Sequence, residues 1–81
     1  MTLGEYRVGI SFNPSGDDEV ARIKRAAADL IDLIGSIPDG SDYAPERGRL
    51  KALAMTHVED AAMWAVKAAT KQHHAGPNPA A

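Results

Sequence analysis

The chain has 81 residues, a formal net charge of −2 and no cysteine. It therefore forms one small domain at most, and a chain of this size buries only about 60% of the surface that its unfolded form exposes. The lack of cysteine excludes disulfides and thiolate metal sites, and the three histidines, two of them in a polar tail, do not favour a structural metal. Oligomerisation is the expected source of further burial.

Acidic and basic residues are mixed along the chain. This argues against binding to duplex nucleic acid, which normally needs a strongly basic face, but it permits a small anionic ligand held by a few cations. No apolar run approaches the roughly 20 residues of a membrane span, and no signal peptide is recognisable. We therefore expect a cytosolic protein that does not bind membranes.

Residues 1–16 are predicted to form an extended N-terminal arm. Large side chains alternate with small or polar ones, at Tyr6, Val8, Ile10 and Phe12. A period of two is typical of an extended or weakly strand-like segment. Because a single strand has no partner within this chain, the arm is expected to lie against helices or a neighbouring subunit.

A first long helix is predicted over residues 17–37. Ser15 and Asp18 fit a capping-box pattern, and the acidic residues that follow Gly16 suit a helix N-terminus. Apolar residues recur every three or four positions, at Val20, Ile23, Ala27, Leu30, Ile34 and Ile37. This spacing indicates an amphipathic helix.

A second long helix is predicted to begin between Pro45 and Gly48 and to reach about Gln72. Residues 35–48, rich in glycine and proline, connect the two helices, which gives an all-α antiparallel hairpin domain over residues 17–72. The tail, residues 73–81, has no hydrophobic periodicity and is expected to be disordered.

The second helix carries two apolar stripes. The first, called the Trp64 stripe, comprises Leu50, Ala54, His57, Ala61, Trp64 and Ala68. The second, called the Met55 stripe, comprises Met55, Val58, Ala62, Ala65 and Ala69. A two-helix hairpin needs one buried stripe per helix. We therefore expect Trp64 to anchor the hairpin core and the Met55 stripe to pack on other subunits of an obligate oligomer.

The sequence contains no pattern for a catalytic nucleophile, a carboxylate pair or a phosphate loop, so we predict neither an enzyme nor a cofactor. His57 is interpreted as a hydrogen-bonding residue at a packed interface rather than a metal ligand. Lys24 and Arg49 lie in basic clusters that are either solvated or in contact with a ligand phosphate. Phe12 and Tyr6 either hold the arm in place or stack on a nucleobase, a contact worth about 1–3 kcal/mol.

The sequence resembles a family of short phage proteins. The stretch RLKALAMTHVEDAAMWAVKAATK, with VARIKRAAADLIDLI before it, is similar to the hairpin domain of phage anti-CBASS cyclic-nucleotide sponges, which Thoeris anti-defence sponges share. Its most recognisable points are Ile23-Lys24, Thr56-His57 and Met63-Trp64. The resemblance implies a compact hexamer with pockets between subunits. It also implies sequestration, without cleavage, of cyclic dinucleotides and cyclic trinucleotides in the cytoplasm of the infected bacterium.

The resemblance also implies roles for individual residues. Lys24 matches a ligand-contacting lysine of the dinucleotide pocket, whereas Arg49, Thr56 and His57 match positions that we assign to the trinucleotide pocket. The stacking tyrosine of the family is not reproduced: without a gap its position is Gly9, and with a short gap Phe12 or Tyr6 replaces it. Asn13, beside Phe12, is a candidate hydrogen-bond partner for a base edge.

Two other functions fit the sequence. One is a small oligomeric helical module that binds a host or phage protein and has no nucleotide ligand. The other is a subunit of a nucleic-acid-associated complex, against which the net charge counts.

Overall fold

The structure, a computed structural model, describes residues 1–40, 42 and 44–71. Within them the chain forms three helices and no strand: α1 is Leu3–Val8, α2 is Asp18–Gly35 and α3 is Ala44–Lys71. Helices α2 and α3 pack against each other as the predicted hairpin, and α1 packs mainly on α2. The prediction of an all-α fold with a helical hairpin is thus confirmed. The tail that was expected to be disordered lies outside the described residues.

The prediction of an extended N-terminal arm is wrong, because residues 3–8 form α1. A capping box starts this helix: the Thr2 hydroxyl accepts the Glu5 backbone N–H at 3.1 Å, and the Glu5 carboxylate accepts the Thr2 N–H at 2.7 Å. Gly9, with φ of 64°, ends it in the left-handed conformation that glycine favours. Local capping therefore overrides the alternating pattern of side chains.

Close backbone approach fixes α1 on α2. Gly4 is buried, and a Cβ atom built on it would lie 2.1 Å from the carbonyl oxygen of Ala28. The Gly4 N–H donates to Asp32 Oδ1 at 2.8 Å, and Arg25 of α2 forms an ion pair with Glu5 at 2.8 Å. The missing side chain at residue 4 thus lets the two backbones lie close enough for these contacts.

Helix α2 begins one residue later and ends two residues earlier than predicted, and its cap differs. Asp17, rather than Ser15, is the N-cap: its carboxylate accepts the Glu19 N–H at 2.7 Å. Ser15 instead donates to Asn13 Oδ1 at 3.1 Å. The buried row is Val20, Lys24, Ala28 and Ile31, so the apolar stripe is rotated from the predicted one and Leu30 is exposed.

The assignment of the two stripes of α3 was reversed. Met55, Ala62 and Ala69 of the Met55 stripe are buried, whereas Trp64 is 58% exposed and Leu50 is 50% exposed. Small side chains on the Met55 stripe allow α3 to lie close to α2, since the interaxial distance depends on the residues at the contact. Trp64 is therefore not a core anchor of the single chain.

The end of α2 is held by side chains of α3. Lys51 Nζ donates to the carbonyl oxygen of Ile37 at 2.6 Å and to Asp39 Oδ1 at 3.0 Å, and Arg47 donates to the carbonyl oxygen of Pro38 at 3.2 Å. These bonds give partners to carbonyl groups of the connection that follows α2, outside the hydrogen bonding of the helix. Among the helices that the structure describes, none has the length and apolarity needed to span a membrane.

Candidate ligand-binding groove

A groove of about 510 Å³ lies between the end of α1, the middle of α2 and the middle of α3. This volume is within the range of small-molecule sites, roughly 300–1,000 Å³. Its lining consists of Arg7, Val8, Lys24, Thr56, Glu59, Asp60, Ala62, Met63 and Val66. The groove therefore combines an apolar surface with two cations, a hydroxyl group and two carboxylates.

Lys24 is a buried cation that holds the segment after α1. The residue is 8% exposed, and Nζ donates to the carbonyl oxygen of Gly9 at 2.9 Å and to that of Phe12. The ammonium also lies 5.4 Å from the centroid of the Phe12 ring, within the range of a cation–π contact. Lys24 thereby fixes the turn of residues 9–12 beside the groove.

Arg7 connects α1 to α3 across the groove. Its Nη2 lies 2.9 Å from Glu59 Oε2 and 3.3 Å from Thr56 Oγ1, while Nε lies 3.3 Å from the same Glu59 oxygen. Nη1 donates to the sulfur of Met55 at 3.3 Å. The Arg7 side chain is 22% exposed, so the guanidinium is held in place at the groove surface.

The sequence-predicted site residues do not all meet at this groove. Lys24 and Thr56, which the resemblance assigned to different pockets, line the same groove. Phe12 lies beside Lys24 and is 71% exposed as a residue. Asn13 is engaged locally, since its Nδ2 donates to the carbonyl oxygen of Asp17 at 2.9 Å.

The other predicted residues lie on exposed surfaces and do not line this groove. Tyr6 is 68% exposed on α1, and His57 is exposed on α3. Arg49 forms an ion pair with Glu46 at 2.6 Å. This pairing lowers the pKa of the Glu46 carboxyl and raises the pKa of the Arg49 guanidinium.

Besides the apolar lining, sequence reasoning missed the three other charged residues of the groove, Arg7, Glu59 and Asp60. Arg7 lay in the segment predicted to be extended, and its partner Glu59 is 52 positions away. The Thr2–Glu5 capping box was the signal that could have identified α1 and hence placed Arg7 on a helix.

Electrostatic contacts keep α1 in position beside the groove. The Arg25 guanidinium, together with the Thr2 backbone N–H, lowers the pKa of the Glu5 carboxyl to about 2. The same contact with Glu5, and a second one with Asp29, raises the pKa of Arg25. In the described part of the chain, no cluster of histidine, aspartate and glutamate residues is arranged to hold a metal ion.

The comparison with known proteins gives a family. The model of the Acb2/Tad1 hairpin domain matches residues 5–70, which include most of α1 and nearly all of α3. No curated protein and no solved structure matches the chain. Proteins of this family are sequestering anti-defence sponges that bind cyclic oligonucleotides. The resemblance seen in the sequence is confirmed, and the chain belongs to the Acb2/Tad1 hairpin-domain family of anti-CBASS and anti-Thoeris sponges.

Proposed function

We propose that this protein binds cyclic dinucleotides in the groove between α1, α2 and α3 and sequesters them without cleavage. The observation that carries the proposal is the groove itself: Arg7 and Lys24 place two cations beside an apolar surface in a chain of the sponge family. A cyclic dinucleotide offers two phosphates and two bases, which need cations and flat or apolar contacts respectively. A phage protein with this role acts in the cytoplasm of the infected bacterium.

Phe12 is the residue that we assign to base stacking. Its ring is largely exposed, and Lys24 holds the backbone of its turn beside the groove. Stacking of a base on an aromatic ring is worth about 1–3 kcal/mol, and about 1.4 kcal/mol corresponds to a tenfold change in the dissociation constant. Loss of the ring should therefore weaken binding by roughly tenfold or more. Asn13 and Tyr6 remain candidate contacts at the same end of the molecule.

The trinucleotide contacts are proposed on the exposed side of α3. Arg49 and His57 are accessible in the single chain, and Thr56 lies at the boundary with the groove. Two turns of helix separate Arg49 from Thr56, so all three residues can contact one extended ligand. This site would be completed by a neighbouring subunit.

We further propose a homo-oligomer, with a hexamer as the form that the family resemblance implies. Apart from the half-buried Ala54, the Trp64 stripe is exposed, and at one end it meets an apolar groove of about 330 Å³ lined in part by Ile34, Ile37 and Leu50. Exposed apolar patches of this kind mark interaction surfaces. The same exposed stripe also favours the alternative function, a module that binds another protein and no nucleotide.

One experiment separates these functions. The wild-type protein and Phe12→Ala are incubated with a panel of cyclic di- and trinucleotides, free ligand is removed, and the protein is denatured. We expect intact nucleotide from the wild type and less cyclic dinucleotide from Phe12→Ala. Recovery of a modified nucleotide would indicate an enzyme, and a complete lack of retention would favour the protein-binding module.

A further inference from the structure

We propose that Arg7 is a second anion-binding residue of the groove and that Glu59 competes with the ligand for it. In this mechanism an anionic group of the ligand replaces the Glu59 carboxylate on the Arg7 guanidinium. The inference rests on the proposed function and deepens it, because it names the residue that regulates access to one of the two cations.

The geometry of the Arg7–Glu59 pair suits exchange. Nε and Nη2 of Arg7 both contact the same oxygen, Oε2, so the carboxylate does not form the bidentate pair with two parallel bonds. Nη1 donates to a thioether sulfur, which is a weak acceptor. A phosphate group has several oxygens and can occupy the guanidinium more completely than Glu59 does.

The partner that must leave is accessible to water. The Glu59 side chain is 41% exposed, compared with 22% for Arg7. Ion pairs with this degree of exposure are weak, because solvent screens them and both side chains lose freedom. Release of Glu59 therefore costs little, and the freed carboxylate can be hydrated where it already lies.

The exchange leaves α1 in place. The helix keeps its hydrogen bond from Gly4 to Asp32 and its ion pair from Glu5 to Arg25, neither of which involves the groove. Lys24 meanwhile supplies a second positive charge in the lining, held by two carbonyl oxygens. The groove can therefore accept an anion at Arg7 without losing the element that carries it.

Calorimetry with cyclic di-GMP and cyclic di-AMP tests this mechanism. We expect Glu59→Gln to bind about threefold more tightly than the wild type, which is the size expected when a weak competing ion pair is removed. Glu46→Gln is the matched control, because it removes the same charge from an exposed pair with Arg49 that does not line the groove. Its affinity should stay that of the wild type.

A second variant makes the test independent of the behaviour of Glu59→Gln. We expect Arg7→Gln to bind about tenfold more weakly, the loss of one charge-assisted contact. If the wild type binds, either of two results would overturn this inference and leave the proposed function standing. One is an affinity of Arg7→Gln equal to that of the wild type. The other is an affinity of Glu59→Gln no higher than that of Glu46→Gln. If the wild type bound neither nucleotide, both the inference and the proposed dinucleotide function would be overturned.

Discussion

The contact between α1 and α2 predicts an unusual effect of an alanine substitution. Alanine normally stabilises a helix relative to glycine by about 0.5–1 kcal/mol. At Gly4, however, the added Cβ would lie 2.1 Å from the backbone oxygen of Ala28, and ordinary contact begins at 3.4 Å. Neither partner is a flexible side chain, so α1 must move away from α2 by about 1.3 Å, the difference between these distances.

This displacement sets the expected magnitude. The hydrogen bond from Gly4 to Asp32 has a length of 2.8 Å, and a shift of that size carries it beyond the distance at which a hydrogen bond holds. A hydrogen bond to a charged group contributes about 1.5–3 kcal/mol. After the gain in helix propensity is subtracted, Gly4→Ala should lower the free energy of unfolding by about 1.5 kcal/mol. For a domain of this size the melting temperature should fall by roughly 10 °C.

Gly48 provides the matched control. It lies in α3, and a Cβ built there meets nothing within 4 Å. Gly48→Ala should therefore raise the free energy of unfolding by about 0.5 kcal/mol or more. Urea and thermal unfolding, followed by circular dichroism, measure both changes. A Gly4→Ala protein as stable as the wild type would refute the close packing of α1 on α2.

Two further predictions concern pH and assembly. The pKa of Glu5 is lowered from 4.5 to about 2 in the folded chain, so its stabilising contribution is complete above pH 4.5 and is lost as the pH falls toward 2. Glu5→Gln should flatten the fall in the urea midpoint over this range, and a profile like that of the wild type would contradict the role of the Arg25 pair. Trp64→Glu should dissociate the proposed homo-oligomer in sedimentation at micromolar concentration, because a charge would be buried in the contact between subunits. A stably folded wild-type monomer under the same conditions would contradict the proposed homo-oligomer.

The hairpin could be predicted from the sequence because α2 and α3 are long. Apolar residues recur at helical spacing over 18 residues in α2 and 28 residues in α3, and a pattern of this length predicts a helix whatever the preferences of single residues. Helix α1 has only 6 residues, too few for helical periodicity, and it depends on one cap and on packing against α2. Its alternating side chains indicated the wrong structure for that reason.

The choice between the stripes of α3 could not be made from the sequence. Both stripes are apolar, and the prediction chose the one that contains Trp64 because a large aromatic side chain is commonly a core anchor. The structure buries the Met55 stripe, whose small residues allow α3 to lie close to α2. The fit between the surfaces of α2 and α3 decides which stripe is buried, and this fit depends on both helices together.

The candidate groove was predictable only in part. Lys24 and Thr56 came from the family resemblance, and both line the groove. The Arg7–Glu59 pair joins positions 52 residues apart, on two helices that each contribute one member. Such a pair becomes visible only when the path of the chain is known.

The Lys24 ammonium binds the backbone oxygens of Gly9 and Phe12, and every amino acid at position 12 would provide that oxygen. The hydrogen bonds of the turn therefore do not depend on the identity of the side chain that it displays, whereas the cation–π contact requires an aromatic ring. Position 12 can accept tyrosine, tryptophan or leucine while the lysine keeps the same backbone partners. Under the proposed stacking role of Phe12, the fold separates the hydrogen bonds of the turn from the choice of the ring, which leaves ligand preference open to change by single substitutions.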